Sequence, residues 1–488
     1  MVVDENNQPK GGALMDIVTL AERFVSGLLE IQQDFTKDAR LDMLEGRAVE
    51  LGNRTIADFI SLTLTETDKL ICDSGSRRKH YTVQRHDDRT LVTTAGDVTF
   101  THTLFRRRDD GSYHFLLDEW MGLPDHERLS EQAEAKILKE AEKNSYQRAA
   151  DSIAIGSQKI SKTAVMNKVH KVLDHIPEEK CPEEKKYCEF LYIEADEDHI
   201  HEQGGDKDSR GHIGKLIYLY EGKEDVCKGK RRLIAPFYTG GLYAGSEANR
   251  KLWESVQAYI ETHYETRRVY ISGDGAGWIK TGADYVDKSV LVLDRFHLMK
   301  YINRVANLTL DDSEWVKGKF YKYIYQDKLL AAKKLLTRIK NHCGGDDVVE
   351  SLRAYLTNNW DAIQRAFHDK NVLGCSAEGH VSHMYSDRMS SRPMGWSKTG
   401  ADSMCRLRCY RKNHGGSRII EIVRFRRQKE LAELSATGTD GMIDCRLVQK
   451  RHTKEQLEVQ SYWEKMQASI GGATVRKTLA IRQRLSEI

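Results

Sequence analysis

The sequence predicts an α/β core built on a mixed five-stranded sheet, interrupted by an all-helical insertion and preceded by a helical and small-sheet region that holds a helix-turn-helix. Three observations predict it. Two short apolar, β-branched or aromatic runs, Phe190-Leu191-Tyr192-Ile193-Glu194-Ala195-Asp196 and Val269-Tyr270-Ile271-Ser272-Gly273-Asp274, each end in an aspartate, the pattern of a buried strand that stops at a working surface. Around them the strand-like runs come in a fixed succession, three strands, a helix, a strand, a helix and a strand, which suits an α/β core. Beyond His297 the apolar positions Trp315, Phe320, Ile324, Leu329, Leu335, Ile339, Leu352, Leu356 and Ile363 keep helical spacing over a long stretch.

The bulk properties set the frame. A chain of 488 residues is too long for one ordinary core and implies two to four domains. It is 40% apolar and 31% charged, and no run approaches the roughly 18 apolar residues of a membrane span, so no membrane role is expected. Met1 to Lys10 is polar without an apolar centre, which argues against a secretory signal and for a cytoplasmic protein. The nine cysteines are scattered and odd in number, unlike a disulfide framework. The net charge of +3 neither requires nor excludes a nucleic-acid partner, so the distribution of charge matters more.

Taken in order, residues 1–128 read as a helical and small β region. Ile17, Leu20, Phe24, Leu28 and Ile31 recur at helical spacing, as do positions from Ile56 to Leu70, and Val98, Phe100, His102 and Leu104 alternate along a strand. Arg106-Arg107-Arg108 beside its turn reads as a solvated edge. Residues 129–176 read as three helices with helix-turn-helix spacing, the last offering Lys162, Asn167, Lys168 and Lys171 on its polar side to a DNA groove. A charged, proline-bounded linker follows. The first part of the core is 186–299, with a third strand expected around Leu233 to Tyr238 and a fifth ending at Asp294. The helical insertion is 300–373, and 374–430 completes the core. There Arg388 and Arg392, and a run beginning at Arg406 and Arg408 and reaching Lys429, are candidates for DNA phosphates. Residues 431–488 are expected to be helical.

The chemistry follows from three acids. Asp196 and Asp274 at neighbouring strand ends, with Glu378 brought in on a helix, form the set that a two-metal phosphoryl-transfer site needs. Carboxylate oxygens suit hard ions, magnesium or manganese. Glu194 and Asp198 flank Asp196 and by alternation share its face, so either is an alternative first acid. His380 and His383 with Cys405 and Cys409 lack an established zinc spacing, and the glycines around Asp274 lack the lysine and hydroxyl residue of a nucleotide loop.

Four motifs in order carry a family resemblance over the chain from Leu129 onward: Tyr192-Ile193-Glu194-Ala195-Asp196, Ser272-Gly273-Asp274-Gly275-Ala276-Gly277-Trp278-Ile279, Leu293-Asp294-Arg295-Phe296-His297, and Ser376-Ala377-Glu378-Gly379-His380-Val381-Ser382-His383 running into Ser390-Ser391-Arg392-Pro393-Met394-Gly395-Trp396-Ser397. With these the chain resembles bacterial insertion-sequence transposases with a DDE site, of the second ISLre group within the Mutator-like set. The resemblance implies a ribonuclease-H-like catalytic core, a third acid set apart by a helical insertion, and magnesium-dependent cleavage and strand transfer of DNA. It further implies double-stranded DNA partners, namely terminal inverted repeats and target DNA, a homo-oligomer in the DNA complex, and a nucleoid-associated location. Asp294 and His297 match a motif of that set and are expected to support catalysis without binding metal. Two alternatives stand beside it: a non-catalytic DNA-binding derivative, and a ribonuclease-H-like nuclease without strand transfer.

Overall fold

The computed structural model describes residues 16–153, 156–204, 211–227, 230–392, 394–434 and 461. Most of the expected C-terminal helical region, 431–488, and Pro393 of the fourth motif lie outside these. The chain divides into two compact units, one of 1–137, 147–161 and 423–488, the other of 138–146 and 162–422. The 129–176 stretch expected as one DNA-binding region is therefore shared between them.

In the first unit, helices α1 (Ile17–Lys37), α2 (Leu41–Asp73) and α3 (Gly75–His80) lead into an antiparallel sheet of β1 (Tyr81–Thr93), β2 (Gly96–Arg107) and β3 (Tyr113–Phe115), followed by α4 (Leu116–Met121), α5 (Glu131–Ala141) and α6 (Tyr146–Asp151). Asp16 caps α1, accepting from the Thr19 amide at 2.7 Å. The long helix α2 lays Ala57 and Ile71 on Val98, Phe100 and Phe105 of β2; the expected alternation holds through Val98, Phe100 and His102 and then shifts by one, with Thr103 and Phe105 buried and Leu104 half-buried. A buried ion cluster crosses this unit: Glu134 accepts from Arg426 at 2.7 Å and Arg427 at 3.3 Å, all three at most 3% exposed.

The second unit takes the end of α5 and the first residue of α6 within 138–146, resumes with α7 (Lys162–His170) and then builds the mixed sheet from β4 (Lys186–Ile200), β5 (His212–Tyr220), the hairpin β6 (Gly222–Cys227) and β7 (Lys230–Ile234), and β8 (Phe237–Leu242). Helix α8 (Gly245–His263), β9 (Tyr264–Gly273), the short α9 (Gly277–Lys280) and α10 (Gly282–Tyr285), and β10 (Ser289–Leu293) complete it. The strand order is β10-β9-β4-β5-β8. β5 runs antiparallel to both its neighbours, whereas β4, β9 and β10 are mutually parallel. The expected third strand is shifted. Pro236 cannot donate to a ladder and Ala235 has a left-handed φ of 45°, so the chain breaks there and Phe237–Leu242, not Leu233–Tyr238, joins the sheet.

One face of the sheet is dry. Leu191, Ile193, Ala195, Ile217, Val269 and Ile271 pack there under Leu252, Trp253, Val256 and Ile260 of α8. The other face carries a cross-strand row of rings, Tyr270 on Tyr192 on Tyr220, with Tyr218 beside Tyr238. The helical insertion follows as α11 (Arg295–Ala306), α12 (Ser313–Tyr325), α13 (Leu329–Cys343) and α14 (Asp346–His368), around its own core of Phe320, Leu336, Leu352 and Ile363. After it come α15 (Ala377–Val381), a π-helical turn at Ser382–Ser386, α16 (Asp387–Met389), α17 (Lys398–His414) and α18 (Ile419–Leu434), which from Val423 onward belongs to the first unit.

Trp253 is fully buried, and its indole N–H donates to the Trp278 carbonyl at 2.7 Å. A Cβ on Gly282 would sit 2.7 Å from its ring. Trp253→Ala is expected to cost about 3–5 kcal/mol, read as a lower denaturant midpoint, with Gly282→Ala destabilising through the same close approach.

Candidate active site

The parallel ladders set the site. β4 pairs with β9 up to Glu194 opposite Ser272, and β10 pairs with β9 up to Leu293 opposite Gly273. Continuing both registers brings Asp196, Asp274 and Asp294 level with one another across three adjacent strands, at the carboxyl edge where open α/β sheets bind ligands. One expectation is corrected here. β4 does not stop at Asp196 but continues to Ile200 against β5; what ends is its pairing with β9, because the chain turns away after Gly273. Gly275, with φ of +90°, makes that turn, and the Asp274 side chain steadies it by accepting from the Ala276 amide at 2.8 Å.

Asp196 and Asp274 feel each other. Burial first, and then the Asp274 charge, push the Asp196 carboxyl up to about 6, against a hydrogen bond from the Glu197 amide at 2.9 Å. Asp294 has another task. It caps α11, accepting from the Phe296 amide at 3.0 Å, and holds His297 Nδ1 at 2.8 Å. That hydrogen bond, with the added charges of Asp274 and Asp196, raises the His297 pKa above its ordinary value although burial opposes it. His297 therefore stands at the acid pair with one nitrogen committed to Asp294.

Glu378 lies on α15 as expected, with Val381 and Met384 turned inward and buried. Its carboxylate is 57% exposed and pairs with Lys300 of α11 at 3.6 Å. Among the described residues, the only three potential ligands whose donor atoms all lie within 4.8 Å of one another are Asp68, Cys72 and His86, so Asp196, Asp274 and Glu378 are not drawn that tightly together. In the Asp68 group the Thr103 hydroxyl meets all three residues, at 2.5 Å from Asp68, 3.3 Å from Cys72 and 2.8 Å from His86. One hydroxyl has one proton and two lone pairs, so those three partners satisfy it without an ion.

The alternatives to Asp196 separate. Glu194 is 1% exposed and accepts from Tyr218, Tyr220, Lys223 and Ser376. Burial alone would raise its pKa, but the Lys223 ammonium and the hydroxyl donors outweigh that and hold it below the ordinary carboxylate range. Asp198 accepts from the Ser390 hydroxyl at 2.8 Å. The fit to a hard divalent ion is best at Asp196 and Asp274, two oxygen donors whose mutual repulsion a cation would relieve, with Glu378 at the rim.

The basic candidates divide by burial. Lys162 and Lys171 are exposed and Lys168 half-buried, on or just past α7. Arg392 is exposed and donates to the Lys143 carbonyl at 3.3 Å. Arg388 is 2% exposed, donates to the Ala141 carbonyl at 3.1 Å and lies 4.8 Å over the Trp396 ring. Arg408 is tied to Glu142 at 3.1 Å and the His383 carbonyl at 2.8 Å, and Arg406 to Asp402 at 3.1 Å. The surface expected of Arg388, Arg406 and Arg408 is thus corrected to internal pairing. The zinc spacing rejected in the sequence stays unassembled: Cys405 and Cys409 are buried, whereas the His383 side chain is 83% exposed. Sequence reasoning missed Lys300, Lys223 and Ser376; Ser376 lay inside the fourth motif, but the two lysines had no local signal.

A profile described as an uncharacterised protein family, UPF0236, matches residues 36–427. The chain belongs to the UPF0236 family. A UPF0236 protein of Caldanaerobacter subterraneus subsp. tengcongensis is 32% identical over 412 residues, 83% of this chain and 85% of the relative, and its name joins eleven gene designations. A UPF0236 protein from the vanSb 3' region of Streptococcus gallolyticus is 25% identical over 405 residues, 79% of this chain and 86% of that one. Among solved structures, a chain of the Drosophila P element transposase strand transfer complex overlaps 64% of this UPF0236 chain and 93% of its own length at 9% identity, with a TM-score of 0.22, a level at which neither fold nor function transfers. Among the described residues no helix is long and apolar enough to cross a membrane.

Because Arg388 serves the interior, Arg388→Ala is expected to lower stability by about 2–3 kcal/mol, seen in thermal melts. Lys162→Ala should leave the melt unchanged.

Proposed function

We propose that this chain is a DDE transposase of an insertion sequence, of the second ISLre group, which binds the element's terminal inverted repeats and cleaves and joins DNA. The observation that carries the reading is that Asp196, Asp274 and Asp294 each lie within two residues beyond the last parallel pairs of three adjacent strands, with the Asp274 charge acting on Asp196. A sheet in which the first strand lies between an antiparallel second and a parallel fourth, ordered third-second-first-fourth-fifth, supports a ribonuclease-H-like core. The four sequence motifs agree with it. So does the relative whose name joins eleven gene designations, since multiplication within one genome is what a moving element leaves behind.

In this reading Asp196, Asp274 and Glu378 hold magnesium or manganese, which when bound supplies charge neutralisation and Lewis-acid activation for attack by water and then by a DNA 3' hydroxyl. The chain's own residues do the rest. Asp294 fixes the His297 ring and keeps a proton on Nδ1, so the other nitrogen is left for a proton or phosphate at the acids. Lys162, Lys168 and Lys171, with Arg392, meet the backbone of the bound DNA, and a homo-oligomer brings the two element ends and the target together. The Lys300–Glu378 pair favours one competing reading, a DNA-binding derivative whose third acid pairs with a lysine in place of a metal.

Purified protein given DNA with the element's own ends tests both. With magnesium the wild type should cut at the ends, and Asp274→Asn or Glu378→Gln should lose cleavage by at least on the order of a hundredfold while still binding DNA. Binding without cleavage by the wild type sinks the enzymatic reading in favour of the derivative. Replacing Lys162, Lys168 and Lys171 with alanine should weaken binding and flatten its salt slope by about 0.9 for each phosphate no longer neutralised; an unchanged slope removes α7 from the interface.

A further inference from the structure

Three carboxylates follow one another on one face of β4, at Glu194, Asp196 and Asp198, because side chains two apart on a strand point the same way. Their partners differ in a regular manner. Glu194 accepts from the backbone N–H of Ser376 at 2.5 Å and from its hydroxyl at 3.1 Å. Asp198 accepts from the hydroxyl of Ser390 at 2.8 Å. Ser376 immediately precedes α15, and Ser390 immediately follows α16. The two outer acids therefore grip the two ends of one segment, and Glu378 lies inside it.

We infer that Glu194 and Asp198 are positioning residues that staple the Ser376–Ser390 segment across β4 and so set where Glu378 stands, leaving Asp196 between them for the chemistry. This rests on the transposase reading of the same acids.

The Glu194 end is a built anchor. Tyr220 donates at 2.5 Å and Lys223 at 2.9 Å, and Tyr218 donates as well, so with Ser376 the carboxylate takes five hydrogen bonds on two oxygens that offer about four lone-pair sites. No room is left for a cation. Lys223 also reaches the Gly374 carbonyl and the Ser376 hydroxyl, clamping the chain on both sides of Cys375. Ser376 holds the N-cap position of α15, yet its side chain makes no capping bond; the hydroxyl that would ordinarily stabilise its own helix goes to Glu194 instead. A helix of five residues followed by a π-helical turn has too few hydrogen bonds to hold its own place. Packing of Val381, Tyr385 and Met389 fixes its middle, the anchors at Ser376 and Ser390 fix its ends, and π turns recur where a segment is shaped for function.

Full-length protein tests this in two ways. Hydrogen exchange across 374–392 should quicken in Glu194→Gln and in Asp198→Asn while the 264–273 strand keeps its protection; Ser376→Ala and Ser390→Ala remove only the two hydroxyl bonds and leave the Ser376 amide on Glu194, a gentler form of the same test if the first pair fails to fold. In cleavage of element-end DNA, the variants should need about 10–100-fold more magnesium for half-maximal rate and approach the wild-type rate at saturation, whereas Asp196→Asn should stay inactive at every concentration. Unchanged exchange, or exchange that rises evenly through the strand as well, overturns the staple. Loss of cleavage at all magnesium concentrations in Asp198→Asn or Glu194→Gln overturns the positioning role, because it makes that residue a ligand. A wild type that cuts no DNA removes the transposase reading, while the exchange result still decides the staple.

Discussion

Two carboxylates that have lost much of their water and face each other across adjacent strands are the costly element of this fold. Asp196 gains nothing from that arrangement as packing, since its burial and the neighbouring Asp274 charge both disfavour its ionisation. The sheet holds them regardless. Parallel pairing on both sides of β9 leaves no freedom in their relative height, because a slip of one residue would turn every side chain of the strand to the opposite face and bury the acids among Leu252 and Trp253. The apolar face under α8 is thus what keeps the polar face in register.

The insertion braces the same edge from the other side. Tyr355 of α14 donates to the Asp274 carbonyl at 2.9 Å, and Arg365 reaches the Leu291 carbonyl at 2.7 Å. Tyr192 and Tyr270, neighbours in the ring row, end on the Asn371 carbonyl at 2.9 Å and the Asp369 carboxylate at 2.9 Å. The helices that separate Asp274 from Glu378 in sequence are therefore bonded to the loop that follows β9. Deleting them would remove the two restraints made by Tyr355 and Arg365 as well as a stretch of chain.

Much of this was legible in the sequence, for a definable reason. Strands buried on both faces are written as continuous apolar runs, so β4, β9 and β10 and the acids beyond their pairing could be read directly, as could the long helical periodicity of the insertion. The hairpin Gly222–Ile234 could not. Its strands, Gly-Lys-Glu-Asp-Val-Cys and Lys-Arg-Arg-Leu-Ile, are held by cross-strand pairs such as Arg232 with Glu224 at 2.6 Å, and charge pairing leaves no apolar alternation to detect. The basic run after Arg406 failed for a related reason. Clustered arginines read as a phosphate surface when their acids are not nearby in sequence, yet Arg408 and Arg411 share Glu142, and Arg426 and Arg427 share Glu134. Burial of a charge is decided by a partner hundreds of residues away, and no local window contains it.

That last pairing also has a consequence in time. Glu134 and Arg426 are separated by 292 positions, and everything between them except 135–137, 147–161 and 423–425 belongs to the other unit. A ribosome adding roughly 5–20 residues per second exposes the Glu134 carboxylate about 15–60 s before its arginines exist. Over that interval the first unit lacks the two arginines that its interior acid will meet, while the second unit, all four motifs included, is being translated. The order of synthesis thus makes the amino-terminal unit the last to close.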